Sequence, residues 1–240
     1  MDAYQSDLAD IHESGFTHFA LGAASVLRKE LSPANGNCKT VVDLGCGGGT
    51  LARELYEAGF QVQGYDLSPA MIEMARARVP AAEFAVASFV DVDLPECRAV
   101  TAIGEVLNYL IDERNDLSVV EAVLSRIFAS LIPGGYLLFD VASLKRASDL
   151  PVQRFVTDND RAVLVMTERA GDVLTRHITA FRRVGDLFRR SEETHSLKLM
   201  EPDEVCRILS TIGFKVEQLD SYGSQTLPTG LHAFLARKPE

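Results

Sequence analysis

The chain contains no tryptophan, only five histidines and only four cysteines among 240 residues. The cysteines, Cys38, Cys46, Cys97 and Cys206, are scattered, and no two form a C-x-x-C pair. That spacing argues against a disulfide framework and against a zinc knuckle, so no metal is expected, and it fits a reducing compartment. No stretch approaches the roughly 20 consecutive apolar residues that span a bilayer. The opening MDAYQSDLADIHES is acidic and lacks the basic, apolar and small-residue succession of a signal peptide, so a cytoplasmic location is expected. Basic residues are the scarcer charge, with 24 Lys and Arg against 34 Asp and Glu. The deficit lies within residues 1–150, which hold 11 basic and 21 acidic residues. An acidic body repels phosphates, so neither nucleic acid nor membrane is expected as a partner, whereas a cationic ligand is tolerated.

What is present has a regular rhythm. Residues 17–31 carry apolar positions at helical spacing. Thr40–Leu44 is a short apolar run ending in Asp and Gly, and reads as a buried strand. Thr50–Ala58 reads as a helix stopped by Gly59. Gln61–Tyr65 is a second strand. Ser68 and Pro69 supply an N-cap and a first-turn proline for a helix reaching about Arg78. Glu83–Ala87 and Ala99–Ile103 are further strands, Asn115–Leu131 is a long helix, Pro133-Gly134-Gly135 is a turn and Tyr136–Val141 is a fifth strand. Strands alternating with helices imply an α/β fold: a Rossmann-like, doubly wound, mostly parallel sheet with helices on both faces. Such sheets bind ligands beyond the carboxyl ends of their strands.

The rhythm changes after about Ser143. Arg161–Arg169, Val173–Arg183 and Leu187–Leu199 are strand-like, separated by the turn pairs Gly171-Asp172 and Gly185-Asp186. They predict an inserted antiparallel β-meander. A helix over Pro202–Thr211, ended by Gly213, and strands over Phe214–Asp220 and Leu231–Arg237 follow. The expected division is a helical cap over 1–36, an α/β domain over 37–142 and 200–240, and a lid over 143–199.

The strongest local signal is Asp43-Leu44-Gly45-Cys46-Gly47-Gly48-Gly49-Thr50, set between a strand and a helix. Glycines allow a tight turn and close approach to a ligand. Asp66 lies 21 residues after Gly45, at the end of the second strand, where a carboxylate can accept hydrogen bonds from both hydroxyls of a ribose. In the dinucleotide fingerprint G-x-G-x-x-G, counting from Gly45 puts Thr50 at the last glycine, while counting from Gly47 puts Ala52 there, which the looser form allows. A nicotinamide-dependent oxidoreductase therefore stays open as an alternative.

The D-L-G-C-G-G-G stretch resembles motif I of the class I S-adenosylmethionine-dependent methyltransferases, and Gly64-Tyr65-Asp66-Leu67-Ser68-Pro69 with Met71 resembles their second motif. The resemblance covers most of residues 37–141 and the C-terminal strands. It implies S-adenosylmethionine as cofactor, with Asp43, Gly45, Cys46, Gly47 and Gly49 beneath its methionyl part, Asp66 on the ribose, and Leu67 and Met71 beside the adenine. Where the family often has an acid after the third strand, this chain has Ser88 followed by Phe89, which can hydrogen-bond and stack respectively. The segment Ile103-Gly104-Glu105-Val106-Leu107-Asn108-Tyr109 follows the fourth strand, a position that lines cofactor and substrate in the resembling family, so Gly104, Glu105 and Tyr109 are candidates. Glu105 and Tyr109 read equally well as a helix-start acid and a packed aromatic. The segment is not the Asn/Asp-Pro-Pro-Tyr signature of enzymes that methylate DNA bases, which favours a small-molecule acceptor. A homodimer is left open, and so is a non-catalytic S-adenosylmethionine-binding module.

Displacement at a sulfonium methyl needs positioning and, for some acceptors, a base. Along Leu187–Leu199, Glu193 and His195 share a face with Leu197 and Leu199. They read either as cross-strand polar partners or as a general base with its orienting acid. Arg182-Arg183 and Arg189-Arg190 flank a turn and suit a solvated hairpin end or an anion. His12 suits either a surface or an N-terminal segment that closes over the cofactor.

Overall fold

The computed structural model describes residues 6–31, 38–147 and 152–240, with side chains of residues 6–16 and 147 left aside. The side chain of His12 therefore lies outside the described residues. Five α-helices occur among them: α1 (Ser6–Glu30), α2 (Thr50–Glu57), α3 (Pro69–Arg78), α4 (Leu117–Ser130) and α5 (Pro202–Ile212). The strands are β1 (Thr40–Leu44), β2 (Gln61–Asp66), β3 (Glu83–Val86), β4 (Cys97–Ala102), β5 (Leu131–Ala142), β6 (Val152–Thr157), β7 (Arg161–Ala170), β8 (Val173–Val184), β9 (Leu187–Lys198), β10 (Lys215–Leu219), β11 (Ser221–Tyr222), β12 (Gln225–Thr226) and β13 (Leu231–Arg237).

The main sheet has seven strands in the order β10-β13-β5-β4-β1-β2-β3. β1 pairs in parallel with both β2 and β4, so the chain order reverses there and opens a crevice at the carboxyl end of β1. β13 runs antiparallel to β5 and to β10. Successive side chains of a strand face opposite sides. Hence Val41, Ala99 and Leu138 join the core under α1, α2 and α3, while Val42, Val100 and Leu137 join the core under α4 and α5. Burial on both faces explains why these strands are continuous apolar runs.

Helix ends follow the expected local chemistry. Ser68 caps α3 by accepting the Met71 N–H at 3.2 Å. Asp116 caps α4 through the Val119 N–H at 2.9 Å. Gly213 ends α5 in the left-handed region with φ 116°. The Pro133-Gly134-Gly135 stretch, expected as a turn, instead lies inside the span of β5, and the pairing with β4 shifts register between Cys97 and Ala99.

The antiparallel meander has four strands, β6-β7-β8-β9, not the three expected. β6 is an edge strand whose residues are mostly exposed, so it carries too little apolar alternation to be read as a strand. The small β11–β12 hairpin was likewise not foreseen. No helix among the described residues is long and apolar enough to cross a membrane.

Candidate active site

The glycine loop leaves β1 and enters α2 with Gly45, Gly47 and Gly49 at φ 65°, 52° and 78°. At Gly45 a Cβ would sit 2.5 Å from Val106 Cγ2, so only glycine fits against the segment after β4. Arg78, at the end of α3, donates to the Gly48 carbonyl and, at 2.9 Å, to Thr50 Oγ1, pinning the loop from below. Gly49 borders neither of the two cavities described next. It packs its Cα on Ala75 of α3, where a Cβ would lie 3.1 Å from the Ala75 Cα.

A smaller cavity on one side of the loop is lined by Gly45, Gly47, Asp66, Leu67, Met71, Phe89, Gly104 and Tyr109, among others. Asp66 Oδ2 accepts the Gly47 N–H at 3.0 Å and Oδ1 accepts the Ser68 N–H at 2.8 Å. Burial raises the Asp66 carboxyl above its ordinary range, against the lowering effect of these hydrogen bonds. Ser88 does not border the cavity. Its hydroxyl donates to Asp112 Oδ2 at 2.7 Å, and Asp112 joins Asp66 as an acid in the cavity wall. Hydrogen bonds from Arg114, the largest influence, hold Asp112 below the usual carboxylate range. Asp112 escaped the sequence reading because it stands 24 residues beyond Ser88, in a loop that only the fold returns to β3.

A larger cavity, about 440 Å³, opens between the glycine loop and the meander. Asp43, Gly45, Cys46, Gly47, Gly104, Glu105, Tyr109 and His195 all border it. Asp43 is buried. Its Oδ1 accepts the Thr101 hydroxyl at 2.6 Å, whereas Oδ2 has no partner. Burial raises the Asp43 carboxyl to about 7.

The segment after β4 is held in an unusual conformation. Glu105 is the single non-glycine residue with positive φ among the described residues, at 64°. Its N–H, and that of Gly104, donate to Asp140 of β5. The other Asp140 oxygen accepts the buried Tyr222 hydroxyl at 2.8 Å. Burial pushes Asp140 up to about 6. The Glu105 carboxylate receives Arg176 Nη1 at 2.7 Å and Nη2 at 3.1 Å, and Arg146 Nε at 3.1 Å. Burial works to raise Glu105, but the two guanidiniums outweigh it and hold the group below its ordinary value. Arg146 lies in the short turn after β5 and Arg176 on β8, so sequence distance hid both.

The same segment is sewn to the meander. Asn108 Nδ2 donates to the carbonyls of Ala142 and Lys198, and the Leu110 N–H to that of Ser196 at 2.8 Å. This brings β9 over the site. His195 is buried with its ring edge-on to Tyr109, centroids 5.8 Å apart. Its Nε2 lies 2.9 Å from Glu193 Oε2. Strand parity had put the pair on one face, and the structure agrees; His195 borders the cavity and Glu193 stands behind it. The paired arginines lie at the far hairpin end, where Arg182 opposes Arg189 and Arg183 lies over the Phe188 ring.

A buried carboxylate oxygen without a partner, in a wall shared with a glycine loop and next to a second carboxylate, suits a cationic nucleoside ligand. A family model described as a methyltransferase domain matches residues 16–219. The chain belongs to this family. YqeM of Bacillus subtilis, a methyltransferase by provisional name, is 30% identical over 200 residues, 79% of this chain and 78% of that one. The crystal structure of an S-adenosylmethionine-dependent methyltransferase from Clostridium acetobutylicum superposes with a TM-score of 0.80 at 17% identity, covering 97% and 98% of the two chains. An S-adenosylmethionine-bound amino pentose methyltransferase from Micromonospora echinaspora gives 0.75 at 20% identity over 98% and 97%. At those identities the two structures share the fold. The protein is thus a methyltransferase by family, and the nicotinamide alternative falls away.

Proposed function

We propose that this methyltransferase acts on a nitrogen or oxygen nucleophile of a small molecule, bound in the larger cavity beneath the meander, which serves as a lid spanning residues 143–199. The observation that carries the proposal is His195, backed by Glu193, in the wall of the cavity that the glycine loop also borders. The methyl donor supplies an electrophilic carbon with a neutral thioether as leaving group, so the protein has no covalent intermediate to build. Its tasks are positioning, exclusion of water and proton removal.

Asp66 accepts the ribose hydroxyls, with Leu67, Met71 and Phe89 against the adenine. The loop glycines let the backbone approach the methionyl part, and Asp43 Oδ2 takes its ammonium. Ser88 acts on the adenine end through Asp112. With Nε2–H donated to Glu193, the lone pair of His195 is on Nδ1, and this nitrogen takes the proton that the nucleophile sheds. Tyr109 holds the imidazole edge-on and screens it from water. The arginine-clamped Glu105 keeps the loop after β4 closed under the lid. The amino pentose methyltransferase that shares the fold acts, by its name, on an amino sugar, which makes amines the first acceptors to test.

The test is transfer of a labelled methyl group from S-adenosylmethionine to matched sets of amines, phenols and carboxylic acids. Labelled N- or O-methyl product is expected. Turnover confined to a macromolecular acceptor would overturn the reading.

A further inference from the structure

Four arginines, Arg146, Arg154, Arg161 and Arg176, and no lysine, border the larger cavity. In a chain of net charge −10 this concentration does not follow from composition. Three acids share the wall: Asp43, Glu105 and Asp140. Only Glu105 is bonded to the cavity arginines, and one carboxylate between two guanidiniums leaves that cluster a positive charge in excess. Asp43 and Asp140 are engaged by Thr101, by backbone N–H groups and by Tyr222. Arg161 is matched by Asp158 at 2.8 Å. Arg154 is not matched: among the described residues its guanidinium makes no hydrogen bond or ion pair.

Its position in the sheet is informative. The pairing register places Arg154 opposite Val165, Val165 opposite Ile178, and Ile178 opposite Glu193. These four residues form one row across the lid; the first three border the cavity, and Glu193 stands behind His195. A cation stands at one end, the acid of the Glu193–His195 pair at the other, and two apolar side chains lie between. Strands about 4.8 Å apart make that row roughly 14 Å long.

Resting on the function proposed above, the geometry points to an acceptor that carries a carboxylate at the end remote from its nucleophile, held by Arg154, with an apolar body lying across Val165 and Ile178. A guanidinium matches a carboxylate through two parallel hydrogen bonds. The apolar span between the charged ends sets the distance from carboxylate to nucleophile.

The test uses the full-length protein saturated with S-adenosylhomocysteine, titrated calorimetrically with para-aminophenylbutyrate and, separately, with its neutral amide. The acid is expected to bind about tenfold more tightly or better, as for a charge-assisted hydrogen bond. Arg154→Gln should erase that preference without moving S-adenosylhomocysteine affinity, and Arg154→Lys should restore part of it. Equal binding of acid and amide, binding of neither, or a preference that survives Arg154→Gln would overturn the inference. Weaker S-adenosylhomocysteine binding by Arg154→Gln would also overturn it, by assigning Arg154 to the donor's own carboxylate. If the wild-type protein does not bind S-adenosylhomocysteine at all, it is the underlying reading that fails.

Discussion

Glu193 and His195 stand two residues apart on β9, and their side chains meet at 2.9 Å although both are almost wholly buried. A buried acid against an imidazole fixes which ring nitrogen carries the proton. If that arrangement serves proton removal, His195→Asn lowers turnover by about 10²-fold or more and abolishes the rising limb of the pH–rate profile. Cofactor affinity stays constant. Glu193→Gln gives a milder loss, because the imidazole remains but its orientation is no longer imposed. Steady-state kinetics at several pH values decide this, and wild-type turnover in His195→Asn returns the pair to a structural role.

Asp66→Ala is expected to weaken S-adenosylmethionine binding by about 1–3 kcal/mol, through loss of a charged acceptor for the ribose. The same change frees the Gly47 and Ser68 N–H groups that the carboxylate now receives. Calorimetry on the folded variant measures the loss. Gly45→Ala should do more damage to the site than its size suggests. Its Cβ meets Val106 at 2.5 Å in a left-handed backbone, so the loop and the segment after β4 must separate. Normal cofactor affinity in Gly45→Ala would show that the loop does not cradle the donor.

Asp43 links pH to stability. Burial raises its folded-state value to about 7 from 3.8. Between those values the folded protein holds a proton that the unfolded chain has released, so this group's contribution to stability falls as pH rises through the window. Asp43→Asn removes the titration. The variant should melt higher than wild type at pH 8, the difference should shrink toward pH 4, and S-adenosylmethionine should bind it less well. A melting difference that does not vary with pH contradicts the buried-carboxylate account.

Glu105→Gln leaves Arg146 and Arg176, both largely buried, facing each other without a carboxylate. Removing one partner of such a cluster costs about 3 kcal/mol. The expected result is a lower urea midpoint, accompanied by looser closure of the lid seen as faster amide exchange in β8. An unchanged midpoint would mean that water or rearrangement compensates the two guanidiniums.

Local chemistry was readable directly. Thr40–Leu44, the Ser68 cap, the Gly213 stop and the parity of Glu193 and His195 each depend on residues within a few positions of one another, so periodicity and turn residues suffice to place them. The glycine loop and Asp66 were equally legible, since their spacing is set by one β-α-β unit. The long-range partners were not. Asp112 beside Ser88, Tyr222 beneath Asp140, and Arg146 and Arg176 clasping Glu105 are joined across 24 to 82 residues. A one-dimensional pattern carries no term for such contacts. β6 also escaped, because an exposed edge strand has no core face to impress alternation on its sequence. The sequence by itself determined the sheet, the helix ends and the glycine loop, through interactions of short reach. Which charges meet in the cavity, and how far Arg154 lies from His195, were decided only when the meander paired strand to strand and folded back over the loop after β4.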